Sequence, residues 1–493
     1  MWISNKVRSL CKYNGLFCFS FYFCEKFPQK CELCRIYVNF MSQKKHLQLF
    51  IGLCLTFLTA CESVSQDSIY FPSTHFPNLT YLVKDPQVWD YLIINAESIS
   101  FYANLEDKMK DKPECRIYTQ EINDFKQLIK ILSVDSMAFL YKDKGISYLK
   151  DLPIFQKKVA YTENEKPKFD PSQPFKGLKI AIDPGHIEES MEMAQIEAKF
   201  IKMKPSDATG LVPIAFNEAN LTLATANLLA DKLSAKGAKV LISRPKAGIG
   251  LLEMTFNDWY ETRRYSDLAA EMRTGRIDSS FMTKYFFDND ATKNDWYTKL
   301  YVPIDLRLRA EKINAFCPDM SIIIHYNVHG PNWEIRDPEN NMQPTDKNYS
   351  MTFVAGSFKA YELQRQEDRI AFLRLLLSDD MVNSINLSEK ITNSFAAILS
   401  VPTVTIADDL GYLNKSCILT EKTGVYARNL GLTRNIKGVL CYGESLCQDN
   451  ITESAWLNQR LVEVKGMKTS SRVRMVADAY YEGMLNYIKN QQK

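Results

Sequence analysis

Four short apolar runs in the second half of the chain indicate buried strands. They lie at residues 178–182, 240–242, 321–324 and 438–442, and runs of this length and composition are typical of strands buried on both faces. Between the first two, apolar residues recur with helical spacing, after Asn217 as a capping residue and before Gly237 as a stop. This alternation of strand and helix predicts an α/β domain whose sheet carries helices on both faces.

Residues capable of catalytic chemistry lie next to these runs. Pro184-Gly185 turns the chain after the first run and places His186 just beyond it, while His325 directly follows the third run. Glu218 falls in the first turn of the intervening helix. Because open α/β sheets bind ligands at the carboxyl ends of their strands, we expect these side chains to converge at one edge of the sheet.

Four sequence blocks in this region resemble those of one enzyme family. The blocks are IAIDPGH, NEANLTLATANLLADKLSAKGAKVLISRP, RLRAEKINAFCPDMSIIIHYN and VLCYGESLCQDN. They resemble, in order, the zinc-dependent N-acetylmuramoyl-L-alanine amidases, which are cell-wall hydrolases with a mixed-sheet α/β domain. The resemblance spans roughly residues 176–459 and implies a mixed, mostly parallel sheet. It also implies that Zn²⁺ is held by His186, Glu218 and His325, and that Glu444 is the general base.

The segment between the first two blocks departs from the family pattern. Ile187-Glu188 stands where the family usually has two glycines. We assign the carboxylate ligand to Glu218, because the block around it matches over its whole length. Three other carboxylates close to His186 in the chain remain alternatives: Glu188, Glu189 and Glu192.

The ligand types point to hydrolysis. Two imidazoles and one carboxylate are a common ligand set of hydrolytic zinc sites, and a nearby carboxylate can move a proton from water to a leaving amine. The resemblance further implies that the bond cleaved is the amide between N-acetylmuramic acid and L-alanine of the peptidoglycan stem peptide, in cell-wall remodelling or division, and we expect Asn327 to contact the substrate. Two alternatives remain: a zinc peptidase acting within the stem peptide, and a non-hydrolytic lipoprotein that binds peptidoglycan or regulates another hydrolase.

The segment after Met41 has the pattern of an export signal. Two lysines precede an apolar run at 47–57, and Leu58-Thr-Ala-Cys61 is a small-residue cleavage site ending in cysteine. This resembles a bacterial lipoprotein signal, and the apolar run is too short for a transmembrane helix. We expect residues 1–40 to be absent from the mature protein, residues 41–60 to be the signal peptide, and Cys61 to be lipidated. The protein would then be exported to the cell envelope and anchored to a membrane, facing the periplasm.

The other segments complete the predicted organisation. We expect a small α+β accessory domain at 61–161, a proline-containing linker at 162–175 and the amidase domain at 176–493. Inserts at about 248–300 and 331–400 interrupt the amidase domain. The net charge of +3 over 493 residues argues against a nucleic-acid binder, whose basic face would normally show in the total.

The cysteine count bears on an exported protein, where disulfides can form. Beyond Cys61 the chain holds an odd number of cysteines, so at least one is unpaired or joins another chain. Cys441 and Cys447 flank Glu444, and pairing between them is one possibility. Buried reduced cysteines are the other.

Overall fold

The computed structural model describes residues 76–131, 170–188, 190–205, 212–283, 291–329, 335–405, 408 and 410–491. The predicted signal peptide, Cys61, Glu189 and most of the linker lie outside these ranges, so those predictions stay predictions. Within the ranges, no helix is both long enough and apolar enough to span a membrane.

The helices and strands are numbered in chain order. The strands are β1 (Leu92–Ile94), β2 (Ser98–Phe101), β3 (Cys115–Tyr118), β4 (Lys179–Pro184), β5 (Phe200–Met203), β6 (Ile214–Asn217), β7 (Lys239–Ile242), β8 (Met320–Asn327), β9 (Met351–Val354), β10 (Cys417–Leu419), β11 (Val425–Arg428), β12 (Leu440–Cys447), β13 (Val462–Val464) and β14 (Met467–Thr469). The helices are α1 (Leu79–Leu82), α2 (Leu105–Met109), α3 (Ile122–Ile131), α4 (Met191–Glu197), α5 (Glu218–Ala235), α6 (Phe256–Thr262), α7 (Arg264–Arg273), α8 (Ser279–Met282), α9 (Lys293–Trp296), α10 (Val302–Phe316), α11 (Gln366–Leu377), α12 (Asp380–Ser394), α13 (Gly411–Ser416), α14 (Gly431–Asn435), α15 (Ile451–Leu457) and α16 (Ser471–Asn490).

A seven-stranded sheet in the order β10-β11-β9-β12-β8-β4-β7 forms the centre of the fold. Strands β12, β8, β4 and β7 run parallel, whereas β9 pairs antiparallel with β12 and β10 pairs antiparallel with β11. Ile180 and Ile182 of β4 pack with α5, α12 and α16, while Ala181 packs with α10 and α14 on the other face. The prediction of a mixed, mostly parallel sheet with helices on both faces is confirmed.

Helix α5 carries a predicted site residue as its first residue. The side chain of Asn217 caps the helix by accepting a hydrogen bond from the Asn220 amide at 2.9 Å. Gly237 follows the helix with a φ of +90°, and a Cβ there would lie 2.9 Å from the backbone of Lys176. The capping residue and the stop predicted from the sequence therefore both hold.

Strands β8 and β12 extend further than the apolar runs that predict them. The sequence pattern predicts that His325 and Glu444 follow these strands. In the structure both residues lie inside them. The backbone ladder continues because its hydrogen bonds do not depend on side-chain polarity. The two residues are register partners on adjacent parallel strands, so their side chains share one face of the sheet.

Residues 76–131 form an antiparallel sheet of β1, β2 and β3 with short helices, which confirms the predicted α+β character. This sheet buries its apolar side chains against α11 and β9. Phe101 meets Phe372 edge to face, with ring centroids 5.9 Å apart, and Glu114 pairs with Arg369 at 2.7 Å. The bounds of 61–161 as a domain of its own remain a prediction.

The two predicted inserts have different structures. The first contains α6 to α9 around an aromatic core that includes Phe256, Trp259 and Tyr297. The second supplies β9, α11 and α12, so it contributes a strand to the central sheet and helices that cover it.

Candidate metal centre

His186 follows β4 in an unusual backbone conformation. Its φ is +61°, in the left-handed region that residues other than glycine seldom adopt. The buried guanidinium of Arg309 donates to the carbonyls of Pro184 and His186, each at 3.1 Å, and Thr222 donates to the Gly185 carbonyl at 2.6 Å. These bonds hold the turn that presents the His186 ring to the site, in keeping with the tendency of backbone strain to occur at functional sites.

Glu218 and His325 meet His186 at the carboxyl edge of the sheet. Oε1 of Glu218 lies 3.2 Å from Nε2 of His186 and 3.0 Å from Nδ1 of His325, and it accepts a hydrogen bond from the Tyr326 amide at 3.0 Å. One potential ligand atom from each of the three residues lies within 4.8 Å of the others. The structure thus brings together the three residues that the sequence predicts as metal ligands.

Two residues that the sequence analysis did not identify orient this cluster. Oε1 of Glu197 lies 2.9 Å from Nδ1 of His186, on the side of the ring away from Glu218. Gln448 is fully buried and donates to Oε2 of Glu218 at 2.9 Å. Neither residue is adjacent to a predicted ligand in the chain, and only the packing of α4 and of the segment after β12 brings them near.

The electrostatics of the cluster favour an ionised Glu218. Burial opposes ionisation, yet His186 and His325 hold the pKa of Glu218 well below its usual range. Burial also opposes protonation of His186, but the carboxylates of Glu218 and Glu197 raise the pKa of His186 to about 9. Burial lowers the pKa of His325. The site therefore combines an ionised carboxylate with two imidazoles of different proton affinity.

Glu444 is placed differently from the three clustered residues. It is half-buried, and its Oε2 has no hydrogen-bond partner among the residues that the structure describes. Burial raises the pKa of Glu444 to about 8, the charge of Glu218 acts in the same direction, and Arg428 opposes both. A carboxylate is suited to proton transfer when its pKa is raised and one of its oxygens has no partner among the described residues.

His325 is confined between two neighbours. Its ring stacks on the Tyr442 ring at 4.5 Å with an interplanar angle of 6°. On its other side lies Gly185, where an added Cβ would fall 2.3 Å from Cε1 of His325. The glycine of the DPGH motif is therefore required for close approach of this ring.

Asn327 lies two residues after His325 on β8, so it shares the face of the candidate site. Its Nδ2 is buried and has no hydrogen-bond partner in the described part of the chain. An amide donor without a partner on this face of the sheet fits the predicted role of Asn327 in substrate binding. That role stays a prediction.

The alternative carboxylates lie outside the cluster or outside the described residues. Glu192 is exposed on α4, and Glu188 is buried beside Glu197, which accepts from its amide at 3.4 Å. Glu189 is not among the described residues. Glu453, a carboxylate close to Glu444 in sequence, is bound by Arg472 at 2.5 and 2.8 Å and is thereby engaged in a buried ion pair.

The cysteines in the described ranges are free thiols: Cys115, Cys317, Cys417, Cys441 and Cys447. Cys441 and Cys447 lie six residues apart along the same strand, β12. Six residues of extended chain span about 20 Å, which is far beyond the reach of a disulfide. The pairing around Glu444 is therefore wrong, and the buried reduced state holds.

Fold and site together define a class: an α/β protein with a buried His-Glu-His group that could hold a metal ion. Among solved structures, the CwlD amidase from Clostridioides difficile, in complex with the GerS lipoprotein, is 14% identical, covering 64% of this chain and 99% of that chain, with a TM-score of 0.33. The N-acetylmuramyl-L-alanine amidase Ami1 from Mycobacterium smegmatis is 12% identical, with coverages of 64% and 99% and a TM-score of 0.34.

The catalytic domain of CwlV, an N-acetylmuramoyl-L-alanine amidase from Bacillus (Paenibacillus) polymyxa var. colistinus, is 11% identical, with coverages of 63% and 98% and a TM-score of 0.30. No protein-family model and no curated protein matches the sequence. These TM-scores are below 0.5, so a function for this chain must rest on its own residues.

Proposed function

We propose that the chain is a zinc-dependent N-acetylmuramoyl-L-alanine amidase. It hydrolyses the amide bond between N-acetylmuramic acid and the L-alanine of the peptidoglycan stem peptide, in cell-wall remodelling or division. The observation that carries the proposal is the convergence of His186, Glu218 and His325 within 4.8 Å. Glu444 is the register partner of His325 on the adjacent strand, and its buried Oε2 has no hydrogen-bond partner among the described residues. The four sequence blocks that resemble this amidase family contain all four residues.

The donor set fits zinc. Two imidazole nitrogens and one carboxylate oxygen match the usual ligands of hydrolytic zinc sites, which leave a position open for water. When bound, Zn²⁺ polarises a carbonyl and makes hydroxide available near neutral pH. Calcium and magnesium prefer sites made mainly of oxygen ligands, whereas two of the three ligands here are imidazole nitrogens.

The protein residues then have separate tasks. Glu444 receives the proton of the attacking water at Oε2 and delivers it to the leaving nitrogen of L-alanine. Asn327 donates a hydrogen bond to the substrate through Nδ2, which has no partner among the described residues. Tyr442 keeps the His325 ring in place by stacking on it. Gln448 fixes the second oxygen of Glu218 and so leaves Oε1 directed at the two imidazoles.

The decisive experiment is mass spectrometry of purified muropeptides after incubation with protein and zinc. Free glycan together with intact stem peptide supports the amidase. Shortened stems with the lactyl-alanine bond intact would identify a stem-peptide peptidase, and unchanged muropeptides would favour the non-hydrolytic binder. A parallel incubation with a chelator tests whether cleavage needs the metal.

We also propose that the mature protein is anchored in the cell envelope through lipidated Cys61, facing the periplasm. The support is the order of basic residues, apolar run and Leu58-Thr-Ala-Cys61 after Met41. More than one acyl chain on the cysteine would give stable anchoring. The mass of the mature N-terminal peptide tests this: peptides from residues 6–35 in the mature protein would contradict it.

A further inference from the structure

Glu197 forms a contact that the proposed mechanism does not use. It is the last residue of α4, its side chain is 8% exposed, and its Oε1 lies 2.9 Å from Nδ1 of His186. Its Oε2 accepts from the amides of Ile187 and Glu188 at 3.4 Å. The carboxylate therefore binds both the ring and the backbone that follows His186.

The contact determines which ring nitrogen faces the metal position. A neutral imidazole has one N–H donor and one lone pair. Both ring nitrogens of His186 face carboxylates, Nδ1 that of Glu197 at 2.9 Å and Nε2 that of Glu218 at 3.2 Å, so both can donate when the ring is protonated. Metal binding needs the neutral ring, and a carboxylate at Nδ1 then keeps the proton on that nitrogen and leaves the Nε2 lone pair for the metal. Carboxylates in this position raise the basicity of a ligating histidine and fix its orientation.

The surrounding structure holds Glu197 in place. Asn294 of α9 donates to the Ile196 carbonyl at 2.5 Å, and Met193 and Ile196 pack on the aromatic core of the first insert. After α4 the chain reverses at Ala198, and the Lys199 carbonyl accepts from the amide of Glu218 at 3.1 Å. The same short segment therefore contacts two of the three proposed ligands.

We propose that Glu197 is a positioning residue of the metal centre, which fixes the tautomer and orientation of His186. This inference rests on the zinc site of the proposed function. Loss of such a partner typically weakens metal binding by about 10- to 100-fold. Glu197→Ala is therefore expected to raise the zinc dissociation constant by that factor, and Glu197→Gln, which keeps an acceptor but loses the charge, by less.

The test is competition with a chromophoric chelator for zinc, together with the visible absorption of the cobalt-substituted protein. Glu192→Gln is the matched control, because Glu192 is exposed on the same helix, and it should bind zinc like the wild type. The cobalt bands should shift in Glu197→Ala and stay unchanged in the control. If Glu197→Ala does not fold, the isosteric Glu197→Gln decides.

Zinc binding by Glu197→Ala within twofold of wild type would overturn the inference. Complete loss of zinc, as severe as in His186→Ala, would make Glu197 a ligand and would also overturn it. Because the readout is metal affinity, wild-type protein that binds zinc but leaves muropeptides intact contradicts the proposed function alone.

Discussion

Replacing Gly185 by alanine would test whether the motif glycine serves the metal centre. The new Cβ would lie 2.3 Å from Cε1 and 2.4 Å from Nε2 of His325. The ring cannot yield toward its other side, because Tyr442 stacks there with ring centroids 4.5 Å apart. His325 must therefore swing away from Oε1 of Glu218, its neighbour at 3.0 Å.

The energetic cost falls on the metal-bound state. In the metal-free variant the His325 ring can move away from the new Cβ. To bind the metal, the ring must return to the position in which it overlaps that Cβ. Overpacking of this kind costs about 1–3 kcal/mol, which corresponds to a zinc affinity weaker by about 5- to 150-fold. The free energy of unfolding of the metal-free protein should change by less than this amount.

Chelator competition measures the zinc dissociation constant, and urea unfolding of the metal-free protein measures its stability. Gly411→Ala is the control, since a Cβ at Gly411 would meet nothing within 4 Å. If Gly185→Ala bound zinc as tightly as Gly411→Ala, the close approach of Gly185 to the His325 ring would not be needed for metal binding.

Three further changes separate the roles of the site residues. Glu444→Gln should keep its zinc but lose about 10²–10⁴ in hydrolytic rate, because it keeps the shape and removes the proton acceptor; substantial turnover of muropeptides would move the base role elsewhere. His186→Ala should lose zinc, as judged by metal content after dialysis, and Glu188→Ala should not; the reverse result would show that the ligand assignment is wrong. Arg309→Met should lower the free energy of unfolding by about 3–5 kcal/mol, since it leaves the buried carboxylates of Asp183 and Asp305 unpaired, whereas Lys110→Met, in an exposed helical pair, should change it by about 0.5 kcal/mol or less.

The parts of the fold that could be predicted are those encoded locally. Helix α5 has a capping residue, an apolar periodicity and a glycine stop within one stretch, so its bounds follow from the sequence. His186 and His325 converge because parallel strands deliver their carboxyl ends to one edge, which is a matter of topology. Strands β9 to β11 are three or four residues long and show no comparable local pattern.

The contacts that could not be predicted depend on packing between distant segments. Nothing near Glu197 in the sequence distinguishes it from the exposed Glu192 on the same helix. Its role follows from the way α4 packs against the first insert, whose side chains lie about 60 to 100 residues later in the chain. Gln448, which donates to Glu218, likewise follows a strand whose register shifts between Glu444 and Cys447, and the local sequence does not reveal that shift.

The first insert therefore does more than thicken a helical layer. Helix α4 has seven residues, well below the length at which an isolated helix is stable in water, so tertiary packing must hold it. That packing comes from the aromatic core around Trp259 and Tyr297, which also buries Ile187 directly after His186. The insert thus supports His186 from two sides, through the backbone that follows it and through the helix that presents Glu197 to its ring. A metal centre built on this fold with α4 but without the insert would lack the support that orients its first histidine.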